Sequence, residues 1–229
     1  MRRGNMSPGL RMWVMVGFLL LVLVVMTAGC GGETTPTVSG DAQSHLQAGK
    51  AALEAGDLQR AIAELEAATQ LDAQSVEARF ALGNAYFQQG NLEKAAAAFE
   101  AALKLQPDHI GCLANLGVVY YQLGRLEDAA AQFETGLRVN ASDAELHYLL
   151  GAARLQQGRL DDAEKSFLRA KELKPDLPEV YYGLGALYHL QGKKEEAIEA
   201  FEHFLDCLLY TSDAADEGLG VDLGGRRII

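Results

Sequence analysis

Glycine returns at a fixed interval through most of this chain. Gly49, Gly83, Gly117, Gly151 and Gly185 lie 34 residues apart, and Gly56, Gly90, Gly124, Gly158 and Gly192 keep the same spacing. Self-similarity of this length marks a repeat architecture, in which each unit is one supersecondary motif that cannot bury its apolar face alone. Alanines hold the register at Ala61, Ala95, Ala129, Ala163 and Ala197, and bulky apolar residues hold it at Leu65, Phe99, Phe133, Phe167 and Phe201. Five units result: 42–75, 76–109, 110–143, 144–177 and a partial fifth over 178–206.

Within each unit apolar residues recur at three- and four-residue spacing on both sides of the second glycine, which predicts two amphipathic helices per unit. In the second unit Leu82, Tyr86, Leu92, Phe99, Ala102, Leu103 and Leu105 make the stripe. Gly90-Asn91 reads as the break between the helices, with glycine ending the first and Asn91 capping the second. Pro107 and Pro175 end second helices, and Pro178 suits a first turn. The first glycine and the alanine series are small because paired helices approach closely there.

The order Leu82-Gly83-x-x-Tyr86, then Ala95, Phe99, Ala102 and Pro107, resembles the tetratricopeptide repeat over residues 42–206. The resemblance implies an all-α fold, an α-solenoid of stacked helix-turn-helix hairpins forming a right-handed superhelix whose concave face is lined by the first helices. It departs from the family pattern at Ala48 and Ala52 in the first unit and at Phe204 in the last. In such families the second, fifth, ninth, twelfth and thirteenth residues of each unit contact partners. Here these include Leu46, Lys50, Leu53, Phe80, Asn84, Phe87, Tyr121, Gln122, Tyr148, Leu155, Tyr182 and His189. A groove so lined is expected to favour proteins or peptides with apolar or aromatic segments, with Gln88, Gln122 and Gln156 meeting polar backbone atoms. Some of the aromatics, Phe87 and Tyr121 among them, have packing against a neighbouring unit as an equal alternative. Asn84 and Asn115 match two positions of the family's clamp for a C-terminal carboxylate. Phe80, Glu145 and Leu149 fill its basic positions, which argues against that clamp.

The two ends read differently from the repeat. Residues 12–28 are an apolar run preceded by Arg2, Arg3 and Arg11, and Thr27-Ala28-Gly29-Cys30 looks like a bacterial lipoprotein signal, with Cys30 as the lipidated residue. The alternative is an uncleaved signal anchor that spans the membrane. Residues 1–29 are thus a targeting segment and residues 30–41 a flexible tether, so the repeats are expected on the extracytoplasmic side of a membrane. After Asp206 the pattern is abandoned. Residues 207–216 and 221–229 resemble a translated transposon-type sequencing adapter, in one frame and separated by an index-sized gap. Residues 207–229 are therefore expected to be foreign to the repeat and disordered, with the natural protein continuing beyond residue 206.

Composition narrows the function. The formal net charge is −11, and setting aside the two ends leaves it no less acidic, which argues against nucleic acid as a partner. The equivalent acids Glu66, Glu100, Glu134 and Glu202 read as a solvated convex face. His45, His109, His147, His189 and His203 fall in different units without metal-ligand spacing, and no phosphate loop or nucleophile motif is found before Asp206. No metal, cofactor or catalytic residue is implied, and Cys112 reads as a small apolar filler. The sequence thus points to a non-catalytic, membrane-anchored interaction scaffold in a cell-envelope assembly. The alternative is the substrate-recruiting arm of a longer transferase or protease.

Overall fold

The computed structural model describes residues 38–219. Among them every regular element is a helix, and the helices pair in chain order: α1 (Val38–Glu54) with α2 (Leu58–Leu71), α3 (Val76–Gln88) with α4 (Leu92–Leu105), α5 (Ile110–Gln122) with α6 (Leu126–Val139), α7 (Ala144–Gln156) with α8 (Leu160–Leu173), and α9 (Pro178–Leu190) with α10 (Lys194–Leu219).

Glycine makes the turn inside each pair. Gly90 has φ +82, a left-handed conformation that side chains with a Cβ resist. It lets the Gly90 N–H donate to Phe87 O at 2.9 Å and the Asn91 N–H donate to Tyr86 O at 2.9 Å. This double bond pattern satisfies carbonyls that the end of a helix leaves free. Asn91 then caps the next helix, its Oδ1 accepting from the Lys94 N–H at 3.2 Å, as its sequence position predicts. The same two backbone bonds recur at the other four glycines of the series. At three of those turns the position holds a basic residue, Arg125, Arg159 or Lys193, whose side chain has no acceptor with which to cap. Arg125 and Arg159 instead bridge Asp128 and Asp162 one turn inside the helix. The glycine is the constant part of the turn and the cap is not.

The other glycine series closes the hairpin. A Cβ at Gly83 would sit 2.5 Å from the Phe99 ring. A bulky side chain of each second helix, Leu65 in the first unit and a phenylalanine ring in the other four, therefore lies over bare backbone of the first. Phe99, Phe133 and Phe167 are fully buried, as are Ala61, Ala95, Ala129 and Ala163. Burying each such ring contributes on the order of 1.5–3 kcal/mol. Each second helix also packs on the first helix of the next unit, and successive first helices touch one another. That contact row sets α1, α3, α5, α7 and α9 side by side on one face.

Two boundaries differ from the sequence expectation. Helix α1 begins at Val38, inside the segment read as tether, with Asp41 in its first turn and Ala42 already buried. An acid at a helix N-terminus is electrostatically favourable. At the other end, residues 207–219 continue α10 instead of being disordered. No Pro or Gly interrupts the chain between Lys194 and Glu217, so nothing in the local sequence stops the helix. Residues 1–37 and 220–229, which include the apolar run, Cys30 and the end of the adapter-like stretch, lie outside the described residues.

Candidate functional site

The first helices carry their variable side chains at repeat positions two, five, nine, twelve and thirteen, and two hollows open on this face. The first has a volume of about 400 Å³ and is bounded by α1 and α3. Lys50, Leu53, Phe80 and Asn84 meet there, together with Glu54, Glu77 and Ala81. Lys50 Nζ donates to Glu77 Oε1 at 2.7 Å, so the ammonium is already paired. The Phe80 ring rests 5.9 Å from Phe99 and 5.0 Å from His109, centroid to centroid. Asn84 Oδ1 accepts from Asn115 Nδ2 at 2.7 Å. The two asparagines that match the carboxylate clamp thus bond to each other.

The second hollow has a volume of about 450 Å³ and gathers residues of α5, α7 and α9. Tyr121, Tyr148, Leu155 and Tyr182 line it, over a floor formed by Phe167. Its depth comes from small residues. Ala152 and Ala186 stand where larger side chains would fill the space, and Gly183 is bare, since a Cβ there would be 2.7 Å from Phe167. The Tyr148 ring leans on Phe167 at 6.0 Å. Tyr182 is backed by Phe201 at 5.9 Å and Phe204 at 5.5 Å, yet remains 53% exposed. Tyr121 lines the hollow and also packs against the buried core of its neighbours.

Four of the sequence-selected residues lie in neither hollow. Leu46 is only 2% exposed and belongs to the core, a correction to its assignment to the groove. Its branched side chain is short enough to lie within the hairpin, whereas the rings of Phe80, Tyr148 and Tyr182 at the same repeat position reach the surface. Phe87 is half-buried against the core, and Gln122 and His189 are exposed at helix ends. The residues that sequence selection passed over, Glu54, Glu77, Ala152, Ala186 and Leu190, all occupy the same five repeat positions, as does Gln156, which the sequence singles out for polar backbone contacts. Their signal was present in the register. The selection favoured large side chains, whereas the alanines matter by leaving room.

Away from the groove three of the four equivalent glutamates are not simply solvated, which corrects the sequence reading of that face, while Glu202 is exposed. The Tyr86 hydroxyl donates to Glu66, and the Tyr120 hydroxyl to Glu100 at 2.7 Å. At the third junction Arg154 Nη2 donates to Glu134 at 2.8 Å. Each bond joins one unit's second helix to the next unit's first helix. Burial raises the Tyr86 and Tyr120 hydroxyls to about 12, and the adjacent Glu66 and Glu100 carboxylates add to the effect.

Cys112 is fully buried near the start of α5, where burial pushes its thiol up to about 12, as befits a filler and not a nucleophile. His109 caps that helix, its Nδ1 accepting from the Cys112 N–H at 3.0 Å. Among the described residues no three His, Cys, Asp or Glu side chains are placed to hold a metal ion. No helix among them is long and apolar enough to cross a membrane.

Comparison with known proteins agrees with this architecture. No functionally curated protein is significantly similar in sequence. Among solved structures, MamA of Desulfovibrio magneticus RS-1 is 22% identical, over 76% of this chain and 96% of that one, with a TM-score of 0.66. MamA of MSR-1 is 26% identical, over 74% and 98%, with a TM-score of 0.63. YrrB, described as a tetratricopeptide repeat protein with an unusual peptide-binding site, is 24% identical over 73% and 86%, with a TM-score of 0.63. Tetratricopeptide repeat families match residues 46–110, 115–178 and 178–206. The stacked hairpins, the two glycine series and these matches together make the chain a member of the tetratricopeptide repeat family.

Proposed function

We propose that this array is a non-catalytic scaffold that binds segments of other proteins along the first-helix face, and that it works at a membrane, on the extracytoplasmic side, within a cell-envelope assembly. The observation that carries the binding role is the second hollow, where three tyrosines and a leucine are held at the surface over a buried phenylalanine. Preplaced aromatic anchors in a concavity are what protein interfaces use to gain affinity. The peptide-binding site described for YrrB supports the same reading. The membrane role rests on the apolar run at 12–28 and on Cys30, with lipidation of Cys30 or a retained N-terminal helix as the anchor.

Affinity purification of the full chain from cross-linked membranes tests both parts. Replacing Phe80, Tyr148 and Tyr182 with Ala is expected to reduce recovery of the bound proteins by about tenfold, the effect of losing one or two interface anchors. Recovery of the same proteins at the same level overturns the groove reading. Cys30→Ser is expected to shift the protein to the soluble fraction. Full membrane retention of that variant transfers the anchoring role to an uncleaved helix.

A further inference from the structure

The two hollows are one construction repeated three units apart. Lys50, Leu53, Glu77, Phe80 and Ala81 of the first correspond in register to Ala152, Leu155, Glu179, Tyr182 and Gly183 around the second. In the first hollow an ammonium, a carboxylate and an aromatic ring come together within the chain: Lys50 pairs with Glu77 beside Phe80. In the second the ring is kept as Tyr182 and Ala152 stands in the place of the ammonium, while Glu179 holds the register position of Glu77 without lining the hollow. Tyr148 holds the register of the buried Leu46, Tyr121 comes from a preceding unit that has no counterpart at the first hollow, and no Lys, Arg or His is among the residues that line the second.

We infer that the second hollow takes the side chain of an arginine or lysine of a bound peptide, in the place that Lys50 fills in the first. This rests on the groove reading above and adds the chemistry of its occupant. Aromatic ring faces carry negative charge density that attracts a cation, and attract it more strongly when water is partly excluded. Tyr121, Tyr148 and Tyr182 present such rings from three successive units, with Phe167 and Phe201 holding two of them in place. Glu179 lies in the first turn of α9, three residues before Tyr182 and so on the same side of that helix. Elsewhere the chain already uses this pairing, with Arg125 stacked 4.1 Å above the Tyr120 ring and Lys94 5.0 Å above Tyr86. The tyrosines of the second hollow have no such partner among the described residues. A chain of net charge −11 also steers a basic segment towards it.

Fluorescence anisotropy with two labelled heptapeptides tests the inference, one with a central arginine between leucines and one with citrulline, which keeps the shape and removes the charge. The full chain is expected to bind the arginine peptide at least about fivefold more tightly. Ala152→Lys, which supplies the missing ammonium from within, is expected to abolish that preference. Gln59→Lys adds the same charge on α2 and is expected to preserve it. Should Ala152→Lys fail to fold by circular dichroism, Glu179→Gln provides a milder variant, expected to reduce the preference severalfold. Equal affinity for the two peptides overturns the inference, as does a preference that folded Ala152→Lys or Glu179→Gln retains or that Gln59→Lys loses. If the two peptides bind equally and the double variant Tyr148→Leu with Tyr182→Leu abolishes binding, the groove reading stands without the cation. Binding that survives that double variant overturns both.

Discussion

The first three junctions between units and the fourth are joined differently. Across the first three, a residue of the incoming helix reaches back to a glutamate of the preceding hairpin: Tyr86 to Glu66, Tyr120 to Glu100 and Arg154 to Glu134. At the fourth, Leu168 stands in the glutamate's place and is 40% exposed, so Tyr188 has no acceptor at that position. The apolar core divides nearby: one buried cluster runs from Leu46 to Ala153 and another from Ala163 to Ala200. The second hollow is floored by a phenylalanine of this second cluster. The equivalent glutamates thus tie the first three junctions, while the fourth uses a different carboxylate, Glu164, which accepts from Gln191 Nε2 at 3.2 Å and lies 3.9 Å from Lys193 Nζ. In a repeat protein stability is nearly a sum of unit and nearest-neighbour terms, so such a difference stays local and can be probed unit by unit.

The largest expected effect comes from removing the second cluster's central ring. Phe167→Ala should destabilise by about 3–5 kcal/mol, because the ring is fully buried and its loss leaves a cavity. Hydrogen exchange should show lost protection in α7 to α9 with little change in α1 to α3. A uniform loss along the whole chain would show that the two clusters unfold as one body and would erase the contrast.

The ties themselves give the next largest effect and a pH signature. Tyr86→Phe with Tyr120→Phe removes two hydrogen bonds to carboxylates, each worth about 1–2 kcal/mol at a partly buried site. In the native chain both hydroxyls are raised to about 12 from an ordinary value near 10. The neutral hydroxyl is the donor, so the stabilisation is complete below about pH 10 and is lost as pH climbs towards about 12. Denaturant titrations at about pH 9 and about pH 11.5 should show the native chain losing more stability over that interval than the double variant. Equal losses in the two proteins would mean that these hydrogen bonds do not tie the units.

The framework of this molecule was readable in its sequence because it is made by residues with one physical role each. A glycine that must take positive φ, such as Gly90, or that must lie under a ring, such as Gly83, tolerates almost nothing else, and the 34-residue period exposes both. The groove positions were readable from the same register. Their depth was not, because Leu46 and Phe80 share a position and differ only in how far their side chains reach, a matter of packing against Leu65 and Phe99. The junction ties were hidden for another reason. Tyr86 and Glu66 are 20 residues apart, and that separation becomes a contact only once neighbouring hairpins are stacked. Glutamates with an even period on one helix face look solvated until the next unit is in place.

The smallest expected effect would extend the glutamate series to the junction that lacks it. Leu168→Glu places a carboxylate at the repeat position from which Glu66 and Glu100 accept hydrogen bonds, opposite the Tyr188 hydroxyl. The exposed leucine gives up little buried surface, so the variant loses little packing. The gain is limited by what already surrounds the ring. Burial raises the Tyr188 pKa, and Glu164, Glu196 and Glu199 raise it further, so a fourth carboxylate meets like charge. Lys193 lies 5.3 Å from the ring centroid and 3.9 Å from Glu164, and offsets part of that repulsion. The expected net stabilisation is below about 1 kcal/mol, comparable with a single hydrogen bond gained at a half-exposed site. It should appear as slower hydrogen exchange confined to α8 and α9, and Leu168→Gln, which offers an uncharged acceptor, should match or exceed it. If neither variant slows exchange there, the missing glutamate is not what sets the fourth junction apart, and the contrast rests on the divided core.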